Sequence, residues 1–416
     1  CLQAHNVFVV NDLNNFLEAC DLIFPSPGID LNPYSNYQSK FCAELDLFYQ
    51  NWHKPIFAIT GTLGKTTLTT LLTTILNQSQ TLKTVAAGNV GVGMCSILGT
   101  DYDQVVLELS SFQLEQAKNF APDVAIWTNL YPNHLDRHKT LKAYLCAKAK
   151  IFLQQTKHQI TLLPMNLIGQ LVEQGVNLGQ LESQLYLFGQ ATEQEQLALL
   201  PDEIKAKIAG VFVLQEDDIV LVDLSNNELK VMKIANLKNF QHIDTYPVNL
   251  VILAAVCYLR KVILPQNLVF DGIAHRVEKF YTSANQIDFY NDSKSTVVQA
   301  TVAAVDKLAG KPIILFLGGV SKGVDRSELV AKLVNKVKVV ICFGAEAAQL
   351  QAMCEERGLG SVQFGTLEPA LDYCLSIATT GDQVLFSPSG ASFDLFKDYV
   401  QRGEIFKQLV LQKHLN

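Results

Sequence analysis

The segment Ile59–Leu68, ITGTLGKTTL, decides how this chain is read. Gly61, Thr62, Gly64, Lys65, Thr66 and Thr67 stand together in one short run. Those are the parts of a phosphate-binding loop: glycines that let the backbone turn tightly, a lysine, and a hydroxyl beside it. The usual loop places a glycine five residues before its Gly-Lys pair. Here that position is Ile59, and the nearest upstream glycine is Gly61, so the loop is a clipped form.

Its surroundings support the phosphate reading. Ile56–Thr60 is an apolar run of strand type, and Leu68, Leu71, Leu72, Ile75 and Leu76 follow at the spacing of a buried helical stripe. A strand, a glycine turn and a helix N-terminus present backbone N–H groups and a helix dipole to an anion. Lys65 adds a point charge, and Thr66 offers a hydroxyl to magnesium. An ordinary glycine turn is the plain alternative; the joint presence of Gly, Gly, Lys and Thr disfavours it. The loop alone names no reaction, because many nucleotide enzymes share it.

Outward from the loop, short apolar runs alternate with helical patterns, which predicts layered α/β structure. Strands are expected at Ile56–Thr60, Val105–Leu109, Val124–Thr128, Ile313–Leu317, Lys338–Phe343 and Gln383–Phe386. Between residues 154 and 240 the pattern is weaker, with one hairpin turning at Ser225-Asn226-Asn227. A break near residue 272 gives three parts: an N-terminal remnant over 1–43, a central nucleotide domain over 44–272, and a C-terminal α/β domain over 273–416.

Composition narrows the function classes. The 416 residues are 49% hydrophobic and 18% charged, with a net charge of −7, which argues against a general nucleic-acid grip. The nine cysteines include no C-x-x-C pair, so they read as reduced and the compartment as cytoplasmic. Val248–Leu259 is the longest apolar run and is too short to span a membrane. No signal peptide is visible, and the start at Cys1 leads to the expectation that the natural N-terminus lies further upstream.

Further polar residues gather at strand ends. VVLELSSFQLE places Glu108 at the end of an apolar strand, with Ser110 and Ser111 after it. AIWTNLYPNHLDRH places Asn129, His134 and Asp136 after another, and AYLCAKAKIF sets Lys148 and Lys150 on a helix. A carboxylate at a strand end beside a phosphate loop is a natural magnesium ligand. Taken singly, Glu108 could be a buried carboxylate paired with lysine, and His134 and Lys148 surface residues.

Together these segments resemble the Mur ligases, the ATP-dependent family that builds the peptide stem of bacterial cell wall. The clipped loop T-G-T-x-G-K-T-T resembles the signature this family shares with folylpolyglutamate synthases. Leu107–Glu115 (LELSSFQLE), Tyr290–Val297 (YNDSKSTV), Leu317–Asp325 (LGGVSKGVD) and Ser387–Phe406 (SPSGASFDLFKDYVQRGEIF) are most similar to the members that add D-glutamate to UDP-MurNAc-L-alanine. SPGI at Ser26–Ile29 fits the close of such a member's first domain. The resemblance implies three α/β domains: a truncated Rossmann-like N-terminal domain, a central P-loop ATPase-type domain and a Rossmann-like C-terminal domain.

It also implies roles. Gly61, Thr62, Gly64, Lys65, Thr66 and Thr67 would hold ATP, joined by Arg276, Asp292 and Lys294. Thr66, Glu108, His134 and a Lys148 carbamylated by CO2 would serve two magnesium ions. Lys65, Glu108, His134, Lys148 and Arg276 would form the catalytic set. Asn89 and Ser110 would touch the UDP-sugar substrate; Thr296, Lys322, Ser392 and Phe393 would hold D-glutamate, with Ser392 opening a helix that carries Phe396, Tyr399, Val400 and Phe406. A monomer working on small molecules, without nucleic acid or membrane insertion, is expected.

Four departures from the family pattern stand out. No glycine-rich turn precedes Asp21; Leu63 replaces a usual asparagine; Val297 replaces another; and the H-N-x-x-N signature is degraded to YPVNLVILAA, with Asn249 a shifted remnant and no adenine contact assigned. They motivate two alternatives: another stem-peptide ligase or folylpolyglutamate synthase, and a degenerate, non-catalytic nucleotide-binding homologue.

Overall fold

A computed structural model describes residues 13–415 other than 80, 194, 225–229, 241, 266, 267, 271 and 322. The expected turn at Ser225-Asn226-Asn227 and the site residue Lys322 therefore lie outside the described residues. The chain divides into two compact units, Cys1–Leu130 with Thr140–Phe270, and Tyr131–Lys139 with Asp271–Asn416.

The first unit is built on a nine-stranded sheet. Its strands are β1 (Ile56–Thr60), β2 (Thr84–Gly88), β3 (Gln104–Glu108), β4 (Val124–Trp127), β5 (Ile160–Pro164), β6 (Gln184–Gln190), β7 (Ile208–Gln215), β8 (Asp218–Asp223) and β9 (Lys230–Asn236). The order is β2-β3-β1-β4-β5-β6-β7-β8-β9. β2 through β7 run parallel, and β8 and β9 close the sheet as antiparallel strands. The weakly patterned region thus extends the sheet by further strands rather than leaving it.

β1 is buried along its whole length, as a central parallel strand must be. Its period of two sends Ile56 and Ala58 into one core and Phe57 and Ile59 into the other. The helix Lys65–Ser79 covers the second face with Leu68, Leu71, Leu72, Ile75 and Leu76, all 0% exposed. Its many threonines are poor helix formers; Thr70, Thr73 and Thr74 each donate to the carbonyl four residues back and so stay compatible with the helix. The apolar helix Pro247–Leu259 packs into the same core, buried from Asn249 to Cys257. Among the described residues no helix is long and apolar enough to cross a membrane.

From Leu13 to Lys40 the chain is a short helix, Leu13–Ala19, and a 3-10 segment, Asn32–Lys40, over a small cluster of Leu17, Ile23 and Phe41.

The second unit has a six-stranded sheet: β10 (Glu278–Thr282), β11 (Asp288–Asn291), β12 (Ile313–Gly318), β13 (Val339–Phe343), β14 (Ser361–Phe364) and β15 (Gln383–Phe386), in the order β10-β11-β15-β12-β13-β14. Only the β10–β11 pair is antiparallel among these. β12 alternates between two cores, with Leu315 and Leu317 on one side and Ile314 and Phe316 on the other.

One expectation is overturned here. Ser392 does not open a long helix: Ala391 is bridged to Val320, residues 392–398 are turns and bends, and the helix runs from Tyr399 to Leu415. Asp398 sets that start, its Oδ1 accepting from Gln401 N at 2.8 Å as a preferred N-cap does. Ser392 opens a separate single turn, its carbonyl accepting from Leu395 N (3.3 Å) and Phe396 N (2.9 Å). Of the apolar residues assigned to its stripe, Phe406 is fully buried and Val400 is exposed.

Candidate active site

In the first sheet, connections run to one side of β1 for β2 and β3 and to the other side from β4 onward. The direction reverses at β1, and ligands of open α/β sheets bind beyond strand C-termini at such a point. The Gly61–Gly64 loop leaves β1 there and Lys65 starts the next helix. Gly61 (φ +144°) has no room for a side chain, since a Cβ would stand 2.0 Å from Thr128 Oγ1.

The loop is held by two residues that follow β4. Leu63 N donates to Asn129 Oδ1 at 2.8 Å, while Asn129 Nδ2 (3.1 Å) and Thr128 Oγ1 (2.6 Å) donate to the Leu63 carbonyl. Thr62 N donates to the Asn129 carbonyl at 3.1 Å. Leu63 thus serves through its peptide group, and its side chain is not what this anchorage uses. The Lys65 ammonium curls back onto the loop, donating to the carbonyls of Gly61 (2.9 Å) and Thr62 (3.1 Å).

Glu108, 2% exposed, ends β3 next to β1. Its carboxylate accepts from Thr66 Oγ1 and from Asn89 Nδ2, both at 2.7 Å. Three expected site residues are thereby joined in one hydrogen-bonded chain. Lys148, on the helix Leu141–Ala149, is 1% exposed and donates to the Gly61 carbonyl at 2.8 Å and to Thr60 Oγ1 at 3.3 Å. Burial first, then the nearby Lys65 charge, holds its amine well below the usual lysine range, against a smaller opposite pull from Glu108. The Tyr144 ring lies 4.7 Å from Lys148 Nζ, and its hydroxyl stands 3.3 Å from Thr62 Oγ1. Thr67 is half-buried on the first helical turn. Ser110 is occupied as a helix cap: it forms a capping box with Gln113.

Sequence reading missed the anchoring role of Asn129, whose signal was its place just past a strand end. It also left Asn249 unassigned. Asn249 is 3% exposed, and its Oδ1 lies 3.3 Å from where a Cβ on Gly64 would stand, so this asparagine abuts the phosphate loop. Its Nδ2 donates to Thr245 Oγ1 at 2.8 Å.

In the second unit, the residues after β11 and β15 come together. Asp292 is buried; its carboxylate accepts from Val277 N (3.2 Å) and Ser387 Oγ (2.6 Å). Burial pushes its pKa up to about 7, although these bonds and the Arg276 charge work the other way. Lys294 places its ammonium 3.6 Å from the centroid of the Tyr399 ring. Thr296 is half-buried in the loop before helix Val298–Lys307, and Val297 caps that helix without a side-chain bond. Ser392 is 3% exposed, whereas Phe393 is 72% exposed. His134 belongs to the Tyr131–Lys139 segment of this unit and takes a left-handed conformation, φ 54°, before the short helix Leu135–His138. Positive φ at a residue other than glycine is a strained state that concentrates at functional positions.

The residues fit phosphate and a hard cation. Between β1 and the Lys65 helix lie a backbone cradle and a lysine, and beside them stand the oxygen donors Thr66 and Glu108 that suit magnesium. Among the described residues no three His, Cys, Asp or Glu side chains form a ready-made metal cluster. Magnesium commonly takes one or two carboxylates plus substrate phosphates, so this sparse donor set is the kind it uses.

Comparison with known proteins agrees. The model of the Mur ligase middle domain matches residues 59–237, and that of the Mur ligase glutamate ligase domain matches 275–390. The UDP-N-acetylmuramoylalanine–D-glutamate ligase of Koribacter versatilis (strain Ellin345) is 35% identical over 406 residues, covering 94% of this chain and 83% of that protein. The protein of the same name from Bacillus mycoides (strain KBAB4) is 33% identical over 425 residues, covering 98% and 88%. Among solved structures, the MurF ligase of Thermotoga maritima in complex with ADP aligns with a TM-score of 0.58 at 16% identity, over 90% of this chain and 86% of that one, a likeness of fold. Both domain models match in chain order and the relatives are alike over nearly the whole sequence: the chain belongs to the Mur ligase family.

Proposed function

We propose that this chain is an ATP-dependent, ADP-forming amide ligase that adds D-glutamate to UDP-MurNAc-L-alanine, a step of peptidoglycan precursor synthesis. The observation that carries the reading is the Thr66–Glu108–Asn89 chain beside a phosphate loop whose Gly61 carbonyl holds the buried Lys148.

The chemistry runs in two steps. A carboxylate oxygen of the L-alanine end attacks the γ-phosphorus of ATP, the bond to ADP breaks, and an acyl phosphate forms. The neutral amine of D-glutamate then attacks the acyl carbon. The tetrahedral intermediate loses phosphate and a proton to give the amide. Both steps crowd negative charge, so cations and N–H donors do most of the stabilising.

Lys65 and the backbone of Gly61, Thr62 and Gly64 are assigned to the phosphates, with Thr67 and Asn249 beside them. Thr66 and Glu108 would hold magnesium, whose positive charge would offset the negative charge of the phosphoryl oxygens. His134 and a carbamylated Lys148 are assigned to the magnesium ligands as well, with two ions expected. The low proton affinity of Lys148 supports this role, because CO2 is captured by the neutral amine. Asn89 and Ser110 are assigned to the UDP-sugar substrate; Arg276, Asp292 and Lys294 to the nucleotide; Thr296, Lys322, Ser392 and Phe393 to D-glutamate. The three-part division at 1–43, 44–272 and 273–416 belongs to the same proposal. So do a cytoplasmic compartment and a monomer acting on small molecules, without nucleic acid or membrane insertion.

Phosphate release tests it. The protein is incubated with Mg-ATP, UDP-MurNAc-L-alanine and D-glutamate, L-glutamate, L-alanine or meso-diaminopimelate. Release with D-glutamate alone is expected. Release only with L-alanine or diaminopimelate would move the assignment to a sister ligase, and none with any amino acid would favour a non-catalytic homologue.

A further inference from the structure

Arg402 is fully buried on the helix Tyr399–Leu415. Among the described residues its hydrogen bonds go to neutral acceptors, although the charges of Asp394 and Asp292 act on it from nearby. Nε donates to Ser293 Oγ at 3.0 Å, Nη2 to the Ser293 carbonyl at 2.7 Å, and Nη1 to the Gly390 carbonyl at 2.9 Å. Burying a cation on neutral acceptors is costly, and apolar side chains of similar volume usually serve stability as well or better. What a guanidinium supplies instead is a rigid planar fork that fixes several acceptors at once.

Those acceptors sit on two separate loops. Ser293 lies between Asp292 and Lys294, three residues before Thr296; Gly390 lies two before Ser392. The next two helix residues reach a third loop. A Cβ on Gly403 would stand 2.4 Å from His275 Nδ1, so only glycine lets the helix approach there, and Glu404 Oε1 pairs with His275 Nε2 at 3.5 Å. His275 precedes Arg276. The glycine-rich loop after β12 also abuts the fork, since a Cβ on Gly319 would stand 2.9 Å from Arg402 Nη1.

We propose that Arg402 is a positioning residue for the amino-acid acceptor, bridging Ser293 and Gly390 so that the loops of Thr296 and Ser392 keep the spacing an amino diacid requires. The proposal deepens the D-glutamate reading given above and rests on it. Asp292 has separate anchors in Val277 and Ser387, so nucleotide handling depends less on the bridge.

The test compares wild type, R402K, R402M and S293A by steady-state kinetics for D-glutamate and ATP, with thermal unfolding of each. R402K keeps the charge but cannot span both loops; S293A removes one acceptor. The expected result for R402K is a KM for D-glutamate raised at least tenfold, with KM for ATP and kcat changed less than threefold. R402M is expected to exceed that rise and S293A to show a smaller one in the same direction. If R402K and R402M do not fold, S293A decides: a KM for D-glutamate raised more than twofold, with KM for ATP changed less, supports the proposal. A KM for D-glutamate within twofold of wild type in a folded variant, or equal losses for both substrates, would overturn the proposal and reduce Arg402 to a packing role. Wild type that releases no phosphate with D-glutamate would overturn the underlying reading and this proposal with it.

Discussion

The two units bury their ionisable groups in opposite senses. In the first, Lys148 lies against a loop carbonyl and burial drives it toward the neutral amine. In the second, Asp292 lies against Val277 N and Ser387 Oγ and burial drives it toward the protonated acid, to about 7. At these two residues burial works against the charged form, in the second unit despite the nearby charges of Arg276 and Arg402. The difference lies in what that makes available. A neutral lysine is a nucleophile that CO2 can turn into an anion, whereas a carboxyl poised near neutrality is an acceptor whose charge follows pH.

The largest effect should come from removing the lysine of the phosphate loop. Lys65→Ala is expected to lower kcat/KM by roughly 10³-fold, the scale of losing a group that stabilises developing charge; a loss below tenfold in steady-state kinetics would remove Lys65 from the catalytic set. Lys148→Ala sharpens the contrast. Activity should fall by roughly 10²-fold, and formate or acetate should restore part of it by supplying the lost anion. Full activity without added carboxylate would sink the carbamate role.

Asp292→Asn tests the other side. With the folded pKa raised above the ordinary carboxylate value near 4, the proton on Asp292 favours the folded state at low pH. That contribution is complete below about pH 4 and is lost as pH rises through about 7. The variant does not titrate, so its stability advantage over wild type should grow between those limits and then stay flat. Its ceiling is about 4 kcal/mol, from ~1.4 kcal/mol per tenfold change in proton affinity. Chemical denaturation at pH 4, 6 and 8 measures it, and a difference independent of pH would contradict the raised pKa.

Smaller effects probe the loop. Asn129→Ala removes two bonds to the Leu63 peptide and should raise KM for ATP roughly 30-fold, at about 1 kcal/mol for each bond. Leu63→Asn, which restores the usual residue, should change KM for ATP by less than about threefold, because Asn129 already holds the peptide group on both sides. A tenfold gain would show that the side chain matters.

The same contrast explains what could be read in the sequence. β1, the loop and the Lys65 helix are contiguous, and each carries its own periodicity, so strand, turn and helix were legible in one short stretch. Glu108 and Lys148 were legible as residue types at the end of a strand and on a helix, but their bonds to Thr66 and Gly61 join positions 42 and 87 residues apart. The second unit depends more on such distance. Arg402 reaches Ser293 across 109 residues, and no local pattern marks an arginine as interior. The helix start at Tyr399 was misread because Ser392 and Asp398 are both good caps and the apolar spacing fits either. The bridge between Ala391 and Val320 holds the chain just before Ser392, and the Asp398 cap sets the helix start.

The central claim is that an acyl phosphate forms on the substrate carboxylate and is captured by D-glutamate. It is tested most directly by running the reaction with UDP-MurNAc-L-alanine labelled with oxygen-18 in that carboxylate and reading the released phosphate by phosphorus NMR. The account predicts one labelled oxygen in each phosphate, released in step with amide formation and only when D-glutamate is present. Unlabelled phosphate would mean that water, not the carboxylate, takes the phosphoryl group, and would contradict it.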